Sequence, residues 1–487
     1  MTVNHDEQIK KNNADYEVVI GIEVHVQLKT HSKIFCSCAN QFGNLANVNI
    51  CPVCTGQPGS LPVLNRKVVD SAIMAGIATN CKIARVSEFS RKHYTYPDLP
   101  KNYQITQGDR PICTDGYVPI EREDGSMKKI RLIRIHVEED AGKNLHMTTG
   151  ESFVDLNRAG TPLIEIVTQP DISSSFEARA YLQRLRSIMY YLGISDVNME
   201  EGSFRGDINI SVRKKGEPLG TKIELKNLNS FKFITSAIDY EVARQIDVLE
   251  EGGKLYQETR LWDTKKQETM VMRSKENAFD YRYIPDPDLP LLVVDEGWVG
   301  RLKQQLPELP HFKFNRFQNE YGLSSYEASN LVESPELAKY FEAVVADCKL
   351  PKLASNWILR DVLGFLNLNK LDLEDFKVTP PMLAELIVEI DKGVINSKIG
   401  QEVFLEMAQS GTYPSIIIQE KDLRQIGGIE ELQDVVAQVI AANPSVVADY
   451  KAGNPKVFPF LVGQAMKATK GKGNPIVIQE LMRNALD

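Results

Sequence analysis

The sequence contains no long hydrophobic run, and no apolar stretch approaches the roughly 18–20 residues that a membrane-spanning helix needs. Its polar beginning also lacks the apolar core of a secretory signal peptide. We therefore predict a cytoplasmic protein that makes no contact with a membrane. Residues 1–15 are expected to be a disordered lead-in.

An excess of positive charge is missing as well, because the formal net charge at pH 7 is −8. A protein that binds nucleic acid over much of its surface is usually basic, so any contact with RNA must be local. Cysteines are few, and their odd number of seven does not suit a disulfide framework. This usage fits a reducing compartment and a metal site.

Two motifs with known chemistry are also absent. The sequence has no Gly-x-x-x-x-Gly-Lys-Ser/Thr loop, since the glycines and lysine of residues 216–222 are arranged differently. It has no Gly-x-Ser-x-Gly nucleophile elbow either. A nucleotide would therefore have to be bound without a P-loop.

Residues 17–29 alternate between apolar and polar side chains, which predicts a half-buried β-strand. Glu23 and His25 are neighbours on its polar face. A carboxylate beside an imidazole on a rigid strand suits a metal site or a proton relay. A plain solvated strand face explains the same pattern equally well.

The strand is followed by two cysteine pairs, and twelve residues separate one pair from the other. Paired thiolates at this spacing are a strong signature of zinc, here with the ligands Cys36, Cys38, Cys51 and Cys54. A closed set of four thiolates leaves no position for a substrate, so we expect this zinc to be structural.

Acidic and basic side chains gather in several later segments. Residues 90–105 combine tyrosines with lysines and an arginine, which suits either a base and its phosphates or a proline-rich surface loop. The predicted strand of residues 129–139 has Ile133 on its apolar face and ends in three consecutive acids. Those acids suit a hard cation or a solvated turn. Glu165 lies within an apolar run, where a carboxylate is costly to bury unless it is paired or bound to a metal.

Two more predicted strands, residues 205–213 and 221–231, carry dense polar faces. Their mixture of acids, amides and bases favours a nucleotide and metal cradle over a plain solvated face. The residues concerned are Arg205, Asp207, Asn209, Ser211 and Arg213 on the first strand, and Lys222, Glu224 and Lys226 on the second.

These patterns predict an α+β protein. We expect a large, mainly antiparallel sheet domain over residues 16–297, a helical domain over 298–408 and a small helical tail domain over 409–487. Within the sheet domain, Ser174 and Glu177 should begin a long helix that Gly193 ends. A second clear helix begins at Pro380 and stops at Gly393. From residue 451 onward, the chain contains six Lys/Arg residues but only two Asp/Glu residues.

Taken together, the chain resembles the B subunits of the bacterial Glu-tRNA(Gln)/Asp-tRNA(Asn) amidotransferases, the GatB family. The resemblance covers nearly the whole chain after the first fifteen residues, and jointly its motifs are highly specific. They lie at residues 20–26, 96–104, 136–143, 156–158, 160–165, 224–231 and 460–467.

The resemblance implies a cradle-shaped catalytic domain, a helical domain and a YqeY-like tail that touches tRNA. In the implied reaction, ATP phosphorylates the side-chain carboxylate of Glu or Asp misacylated on tRNA, and ammonia then displaces the phosphate. The ammonia comes from glutamine, which a separate amidase (A) subunit hydrolyses, and a small C subunit completes a heterotrimer. Which mischarged tRNA is the substrate stays open.

The resemblance also implies roles for residues. It assigns magnesium to Glu23, His25, Glu139 and Glu165, although strand alternation alone favours Glu138 over Glu139. Contacts to ATP are expected from Lys92, Lys101, Arg205, Asp207 and Lys226, and contacts to the body of the tRNA from Lys467, Lys470 and Lys472. Two rival functions are a metal-dependent hydrolase that acts alone and a non-catalytic, zinc-stabilised tRNA-binding subunit.

Overall fold

The computed structural model describes residues 15–147, 149–274, 281–424, 429–469 and 472–486. The chain divides into two compact units, one that ends at Pro310 and one that begins at His311. The predicted α+β class is confirmed, because a large sheet dominates the first unit and the second is helical. Within the described ranges, every helix is too short or too polar to span a membrane.

The first unit is built around a twelve-stranded sheet. Its main path runs β14-β13-β12-β11-β1-β10-β7-β5-β4-β15, while β6 pairs with β7 and with β2. Among the strand pairs of this sheet in the described residues, only β12–β13 is parallel. The strands are β1 Tyr16–Gln27, β2 Lys82–Ile83, β3 Val86–Ser87, β4 Ser90–His93, β5 Tyr103–Thr106, β6 Cys113–Glu121, β7 Met127–Glu139, β8 Lys143–His146, β9 Ser152–Asp155, β10 Pro162–Thr168, β11 Phe204–Lys214, β12 Ile223–Lys226, β13 Glu258–Asp263, β14 Glu268–Ser274, β15 Ile284–Pro285 and β16 Leu292–Val293.

Strand β1 lies near the middle of this sheet, between β10 and β11. The predicted alternation is confirmed, since Ile20, Ile22, Val24 and Val26 are at most 1% exposed. Burying such a row stabilises the fold by roughly 1.5–3 kcal/mol for each side chain. The register with both neighbours then leaves the opposite side of β1 free to carry polar groups.

Four helices contribute to the same core: α1 Arg66–Ala78, α2 Ser175–Tyr191, α3 Phe231–Glu250 and α4 Glu296–Gln304. The predicted start of α2 is confirmed, because the Ser174 hydroxyl accepts a hydrogen bond of 3.1 Å from the Glu177 backbone N–H. The Glu177 carboxylate binds the backbone N–H of Ser173 at 2.9 Å, so it reaches one residue further back than a capping box requires.

The prediction for Ile133 was wrong, because this side chain is 37% exposed. The pairing of β7 with β10 shifts register between Val167 and Thr168, and Ile133 falls at this irregularity. Leu132 and Ile135 on either side of it are buried. An extra residue in one strand reverses the alternation beyond it, and the simple two-residue period does not anticipate this.

The second unit contains two separate hydrophobic cores, one within residues 317–418 and one within 432–486. The predicted helix at Pro380 is confirmed. Ile417 and Ile418 of α12 pack in the first of these cores. The helices are α5 Pro310–Tyr321, α6 Ser325–Leu331, α7 Pro335–Cys348, α8 Pro351–Trp357, α9 Leu363–Asn369, α10 Pro380–Asp391, α11 Ser397–Ser410, α12 Pro414–Glu420, α13 Ile429–Ala442, α14 Pro444–Lys451, α15 Phe458–Ala468 and α16 Pro475–Leu486.

Candidate functional site

The polar face of the sheet collects ionisable side chains from four neighbouring strands. His25 of β1 lies opposite Glu165 of β10 on one side and opposite Arg205 of β11 on the other. Glu165 in turn lies opposite His136 of β7. Cross-strand partners in an antiparallel pair project to the same face, so these four residues form a row across the sheet.

A cluster of metal-binding size lies on this polar face. It comprises His25, Glu138 and Glu165, and one ligand atom of each lies within 4.8 Å of the others. The Nε2 of His25 is 3.3 Å from Glu165 Oε2 and 3.8 Å from Glu138 Oε1. Both carboxylates are buried, at 4% exposed for Glu138 and 8% for Glu165. Buried acids this close together need a cation to balance them.

His136 and Arg134 support the two carboxylates, and the sequence reasoning did not include either residue in the site. The Nε2 of His136 is 3.5 Å from Glu138 Oε2 and 3.6 Å from Glu165 Oε2. Arg134 Nε donates a hydrogen bond of 3.3 Å to His136 Nδ1. A guanidinium can only donate, so Nδ1 is the acceptor and Nε2 carries a hydrogen towards the carboxylates. The spacing of Arg134, His136 and Glu138 on one strand face was the available signal.

The charges in the cluster control how its members ionise. Burial raises the pKa of Glu165, but electrostatic interactions with His136 and His25 and a hydrogen bond from His25 lower it further than burial raises it. Burial also raises the pKa of Glu138, but a hydrogen bond from His136 and electrostatic interactions with His136 and His25 lower it more. Burial lowers the pKa of His25, whereas the hydrogen bond and charge of Glu165 raise it more strongly.

This donor set fits a divalent cation. Both carboxylates are ionised at neutral pH, and a bound cation would take the place of the proton that the raised pKa of His25 favours. Magnesium is usually held by one or two carboxylates and keeps positions for water and phosphate oxygens. Three protein ligands leave such positions, so the arrangement can neutralise and orient phosphoryl groups.

Glu139 was predicted as a magnesium ligand, but the structure places Glu138 in the cluster instead. The Oε1 of Glu139 accepts a hydrogen bond of 2.9 Å from the Ile105 backbone N–H and also pairs with Lys101. Successive residues of a strand point to opposite faces, which is why only one of two adjacent acids reaches His25. Glu23 shares the face of His25, and its carboxylate accepts a hydrogen bond of 2.9 Å from Asn209 Nδ2.

Two of the predicted nucleotide contacts lie beside the cluster. The Lys92 ammonium is 4.8 Å from the ring centre of Tyr281 and 5.7 Å from that of Tyr94. Burial lowers the pKa of Lys92, but the charges of Glu138 and Glu165 raise it more. Arg205 Nη2 binds Asp140 Oδ2 at 2.9 Å. Its Nε is buried without a hydrogen-bond partner among the described residues, so this donor is available to an anion.

The other predicted nucleotide contacts are already paired with acids. Lys226 pairs with Asp207, and its ammonium is also 3.3 Å from Glu224 Oε1. Lys101 pairs with Glu139, and both side chains are less than 10% exposed. These ion pairs lie on the same polar face or next to it. Because each lysine already has an acidic partner, it is less available to bind an anion than Arg205 Nε is.

The four predicted zinc ligands lie together, which confirms their grouping. The four Sγ atoms all lie within 4.8 Å of one another, and those of Cys51 and Cys54 are 3.9 Å apart. A tetrahedron with Zn–S bonds of about 2.3 Å needs sulfurs about 3.8 Å apart, so the set fits zinc. A hydrogen bond from Cys36, the Cys51 amide and the charge of Lys33 lower the pKa of Cys54 to about 4.

Lys33 is a buried cation beside the cysteines that the sequence reasoning missed. It is 0% exposed, and its ammonium is 3.7 Å from Cys54 Sγ. It also donates a hydrogen bond of 2.7 Å to the carbonyl of Asn49. A four-thiolate zinc site carries net negative charge, which this ammonium would partly balance.

Two of the three predicted tRNA-binding lysines, Lys467 and Lys472, lie in the described part of the tail. Lys467 is exposed near the end of α15. Lys472 is 3.0 Å from Asp422 Oδ2, so an acid already accompanies it. The prediction for Lys470 lies outside the described residues.

Comparison with known proteins covers almost the entire chain. A family model described as the GatB/GatE catalytic domain matches residues 18–300, and one described as the GatB domain matches residues 339–486. The B subunit of the aspartyl/glutamyl-tRNA(Asn/Gln) amidotransferase from Chlorobium phaeobacteroides is 51% identical over 473 residues, which are 97% of this chain and 99% of that protein. The proteins of the same name from Geotalea uraniireducens and Carboxydothermus hydrogenoformans are 52% and 51% identical, with the same coverage.

Proposed function

Because the chain belongs to the family of aspartyl/glutamyl-tRNA amidotransferase B subunits, whose enzymes are ATP-dependent ligases, we propose that its polar sheet face is the site of ATP-dependent activation. The substrate is the side-chain carboxylate of Glu or Asp misacylated on tRNA. The product is the corresponding Gln-tRNA(Gln) or Asn-tRNA(Asn).

The cluster of His25, Glu138 and Glu165 carries this proposal. It combines two buried carboxylates and an imidazole on a rigid sheet. Moving a phosphoryl group between anions requires charge neutralisation and positioning more than covalent participation by the protein. The cluster supports this chemistry in a chain without a P-loop.

In this proposal, His25, Glu138 and Glu165 hold magnesium, with Glu23 close by on the same strand. Bound magnesium would neutralise charge that develops between the triphosphate and the acceptor carboxylate. His136 orients Glu138 and Glu165 through its Nε2 hydrogen, and Arg134 fixes the ring of His136. The ligands therefore need little rearrangement when the substrates bind.

The nearby cations would bind phosphate oxygens while the acyl group reacts. Lys92, beside two tyrosine rings, and the free Nε of Arg205 are the donors best placed to bind phosphate oxygens. A carboxylate oxygen of the aminoacyl group attacks the γ-phosphorus, and ADP leaves as its bond to that phosphorus breaks. Ammonia then forms the C–N bond, inorganic phosphate departs with the C–O bond electrons, and the nitrogen loses a proton.

The remaining parts of the chain have supporting roles. Zinc held by the four cysteines would keep the loop after β1 folded, and the helical tail with exposed Lys467 would contact the tRNA away from its acceptor end. A separate amidase (A) subunit would supply ammonia, and a small C subunit would complete the heterotrimer.

Glu165→Gln in the reconstituted enzyme tests this function. ATP hydrolysis driven by mischarged tRNA should be abolished, while glutamine hydrolysis by the amidase subunit and tRNA binding should be retained. Glu17→Gln, on the same face at the start of β1, is a matched control that should behave as the unmodified enzyme. Normal ATP hydrolysis by Glu165→Gln would contradict the proposal, and weakened tRNA binding in that variant would instead favour a non-catalytic role in tRNA binding.

A further inference from the structure

Lys33 connects the four cysteines to a distant part of the sheet domain. We call residues 36–60, which contain these cysteines, the zinc loop. The buried Lys33 ammonium donates a hydrogen bond of 2.7 Å to the Asn49 carbonyl and lies 3.7 Å from Cys54 Sγ. It also donates a hydrogen bond of 3.4 Å to the Leu156 carbonyl, in the segment that leads into β10. One buried charge therefore joins the zinc loop to the approach to β10.

The turn before β10 packs directly against this lysine and the zinc loop. Gly160 has a φ of +82°, and a Cβ placed on it would lie 3.4 Å from Cys54 Cβ and 3.5 Å from Lys33 Cδ. The same Cβ would lie 3.9 Å from Glu139 Oε2. The Gly160 carbonyl accepts a hydrogen bond of 3.0 Å from the backbone N–H of Ile34. Because glycine lacks a Cβ, the turn approaches its neighbours closely, and a shift of Lys33 or Cys54 would displace it.

A second contact joins the zinc loop to β7. A Cβ placed on Gly56 would lie 2.5 Å from Lys101 Cγ, so the backbone of the zinc loop lies against the aliphatic part of this lysine. Lys101 pairs with Glu139, and both side chains are less than 10% exposed. Glu139 is the last residue of β7 and directly follows Glu138 of the cluster. The zinc loop thus contacts β7 through a buried ion pair.

The pairing of β7 with β10 connects these contacts to the metal-binding cluster. Leu163 lies opposite Glu138, near the point where the two strands begin to pair. Glu165 follows two positions further along β10. Each strand holds its side chains at fixed intervals, so the distance between the two cluster carboxylates depends on how β10 begins against β7. A displacement of the turn at Gly160 therefore changes the spacing of the metal ligands.

We propose that Lys33 is a positioning residue that couples the zinc site to the magnesium site, so that each metal is bound more tightly when the other is present. This inference rests on the proposed function, in which His25, Glu138 and Glu165 hold magnesium. Coupling between two binding sites is reciprocal. Magnesium must therefore raise the affinity for zinc by the same factor as zinc raises the affinity for magnesium.

The charge of Lys33 explains how zinc occupancy reaches the cluster. With zinc bound, the four thiolates are held together, and the zinc loop keeps Cys54 and the Asn49 carbonyl around the ammonium. Without zinc this part of the loop is no longer fixed, and a buried cation that loses its partners is costly to keep in place. Movement of Lys33 then displaces Leu156 and the turn at Gly160, and with them the start of β10.

Zinc affinity measured with and without magnesium tests the coupling. The full chain, in the reconstituted complex, competes for zinc with the dye 4-(2-pyridylazo)resorcinol at constant ionic strength. Saturating Mg²⁺ should raise the zinc affinity of the wild-type protein by about fivefold or more. In Glu165→Gln, which lacks a magnesium ligand, Mg²⁺ should have no effect on zinc affinity.

Variants of Lys33 test whether the coupling depends on this residue. Lys33→Met has a similar length without the charge, and Lys33→Gln keeps a hydrogen-bond donor in case the methionine variant does not fold. Both should bind zinc with an affinity that Mg²⁺ no longer changes, a result that a merely structural role of Lys33 would not produce. Lys29→Met is the matched control, because Lys29 is an exposed lysine four positions earlier in the chain. It should keep the wild-type response to Mg²⁺.

The outcomes separate this inference from the proposed function. If the wild-type complex binds no Mn²⁺, used as a magnesium analogue in electron paramagnetic resonance, the magnesium site and the coupling both fail. If Mn²⁺ binds and zinc affinity is the same with and without Mg²⁺, only the coupling is wrong. A response to Mg²⁺ that persists in the Lys33 variants, or that also disappears in Lys29→Met, would overturn the role of Lys33.

Discussion

Two adjacent glutamates give the sharpest test of the candidate site. Glu138→Gln removes one of the two cluster carboxylates, whereas Glu139→Gln changes its neighbour on the opposite side of β7. The resemblance to the family favoured Glu139 as the magnesium ligand, and the geometry favours Glu138. The two variants differ by one position in the chain, so they form a matched pair.

For Glu138→Gln we expect a loss of activity and a smaller loss of stability than for Glu139→Gln, because repulsion from Glu165 offsets part of what the ionised Glu138 contributes. Removing one hydrogen-bond donor of an oxyanion hole costs about 2.7–4 kcal/mol, or roughly 10²–10³ in kcat, and we expect a loss of this order when one metal ligand is removed. The amide oxygen still accepts the hydrogen bond of 3.0 Å that Thr106 Oγ1 donates to Glu138. The substitution also removes the negative charge of Glu138 and with it the repulsion from Glu165. This repulsion raises the pKa of Glu138 and so opposes its lowering.

For Glu139→Gln we expect a loss of stability and retention of the metal. The variant leaves the Lys101 ammonium without its charged partner, and both side chains are less than 10% exposed. Breaking a buried pair in this way costs about 3–5 kcal/mol. With an unfolding entropy of about 2.1 cal/mol/K per residue over roughly 290 residues, Tm should fall by about 5–8 °C.

Three assays separate the two expectations: ATP hydrolysis driven by mischarged tRNA, a titration with Mn²⁺ as a magnesium analogue, and calorimetric unfolding. Glu138→Gln should lose hydrolysis and metal affinity, with a smaller fall in Tm than Glu139→Gln. Glu139→Gln should lower Tm and keep the metal affinity. The opposite pattern, with metal affinity lost only in Glu139→Gln, would refute the assignment of Glu138.

Three further predictions concern zinc, pH and the tail. Metal analysis should give one zinc per chain and none after Cys51→Ser, and zinc-free wild-type protein purified without chelators would contradict the site. In metal-free protein, the lowered pKa values of Glu138 and Glu165 stabilise the fold above pH 4.5, and this contribution should fade as pH falls below that value. The raised pKa of His25 contributes fully below pH 6.5 and is lost as pH rises, so His25→Asn should flatten the alkaline decline of Tm. Deleting residues 429–487 should raise KM for mischarged tRNA and reduce the salt dependence of binding, with less effect on kcat; unchanged affinity and salt slope would exclude the tail from RNA binding.

Sequence alternation predicted the sheet and most of its polar face because a strand has a fixed two-residue period. It placed Glu23 and His25 on one side of β1 and buried Ile20 and Ile22 on the other, as the structure has them. Cysteine spacing predicted the zinc cluster because it is also a local signal. Thiols that are close in sequence need few contacts with distant segments to come together.

Contacts between distant segments were beyond this reasoning. Tyr281 lies against Lys92 although almost 190 positions separate them in the chain, and no local period links them. Nothing in the local sequence marks Lys33, because its carbonyl and thiolate partners gather only in the folded loop. The register shift at Ile133 likewise arises from pairing with β10, so β7 alone does not reveal it.

The register of β1 limits which genetic changes the protein can tolerate. β11 pairs with it over most of its length and β10 pairs with residues 23–27, and one of its faces is core while the other carries the site. A single-codon insertion or deletion between Ile20 and His25 would turn the residues beyond it over. Glu23 or His25 would then enter the core while Ile22 or Val24 met water. Point substitutions leave this pairing in place, so the strand can diverge in sequence over evolution while its length stays fixed.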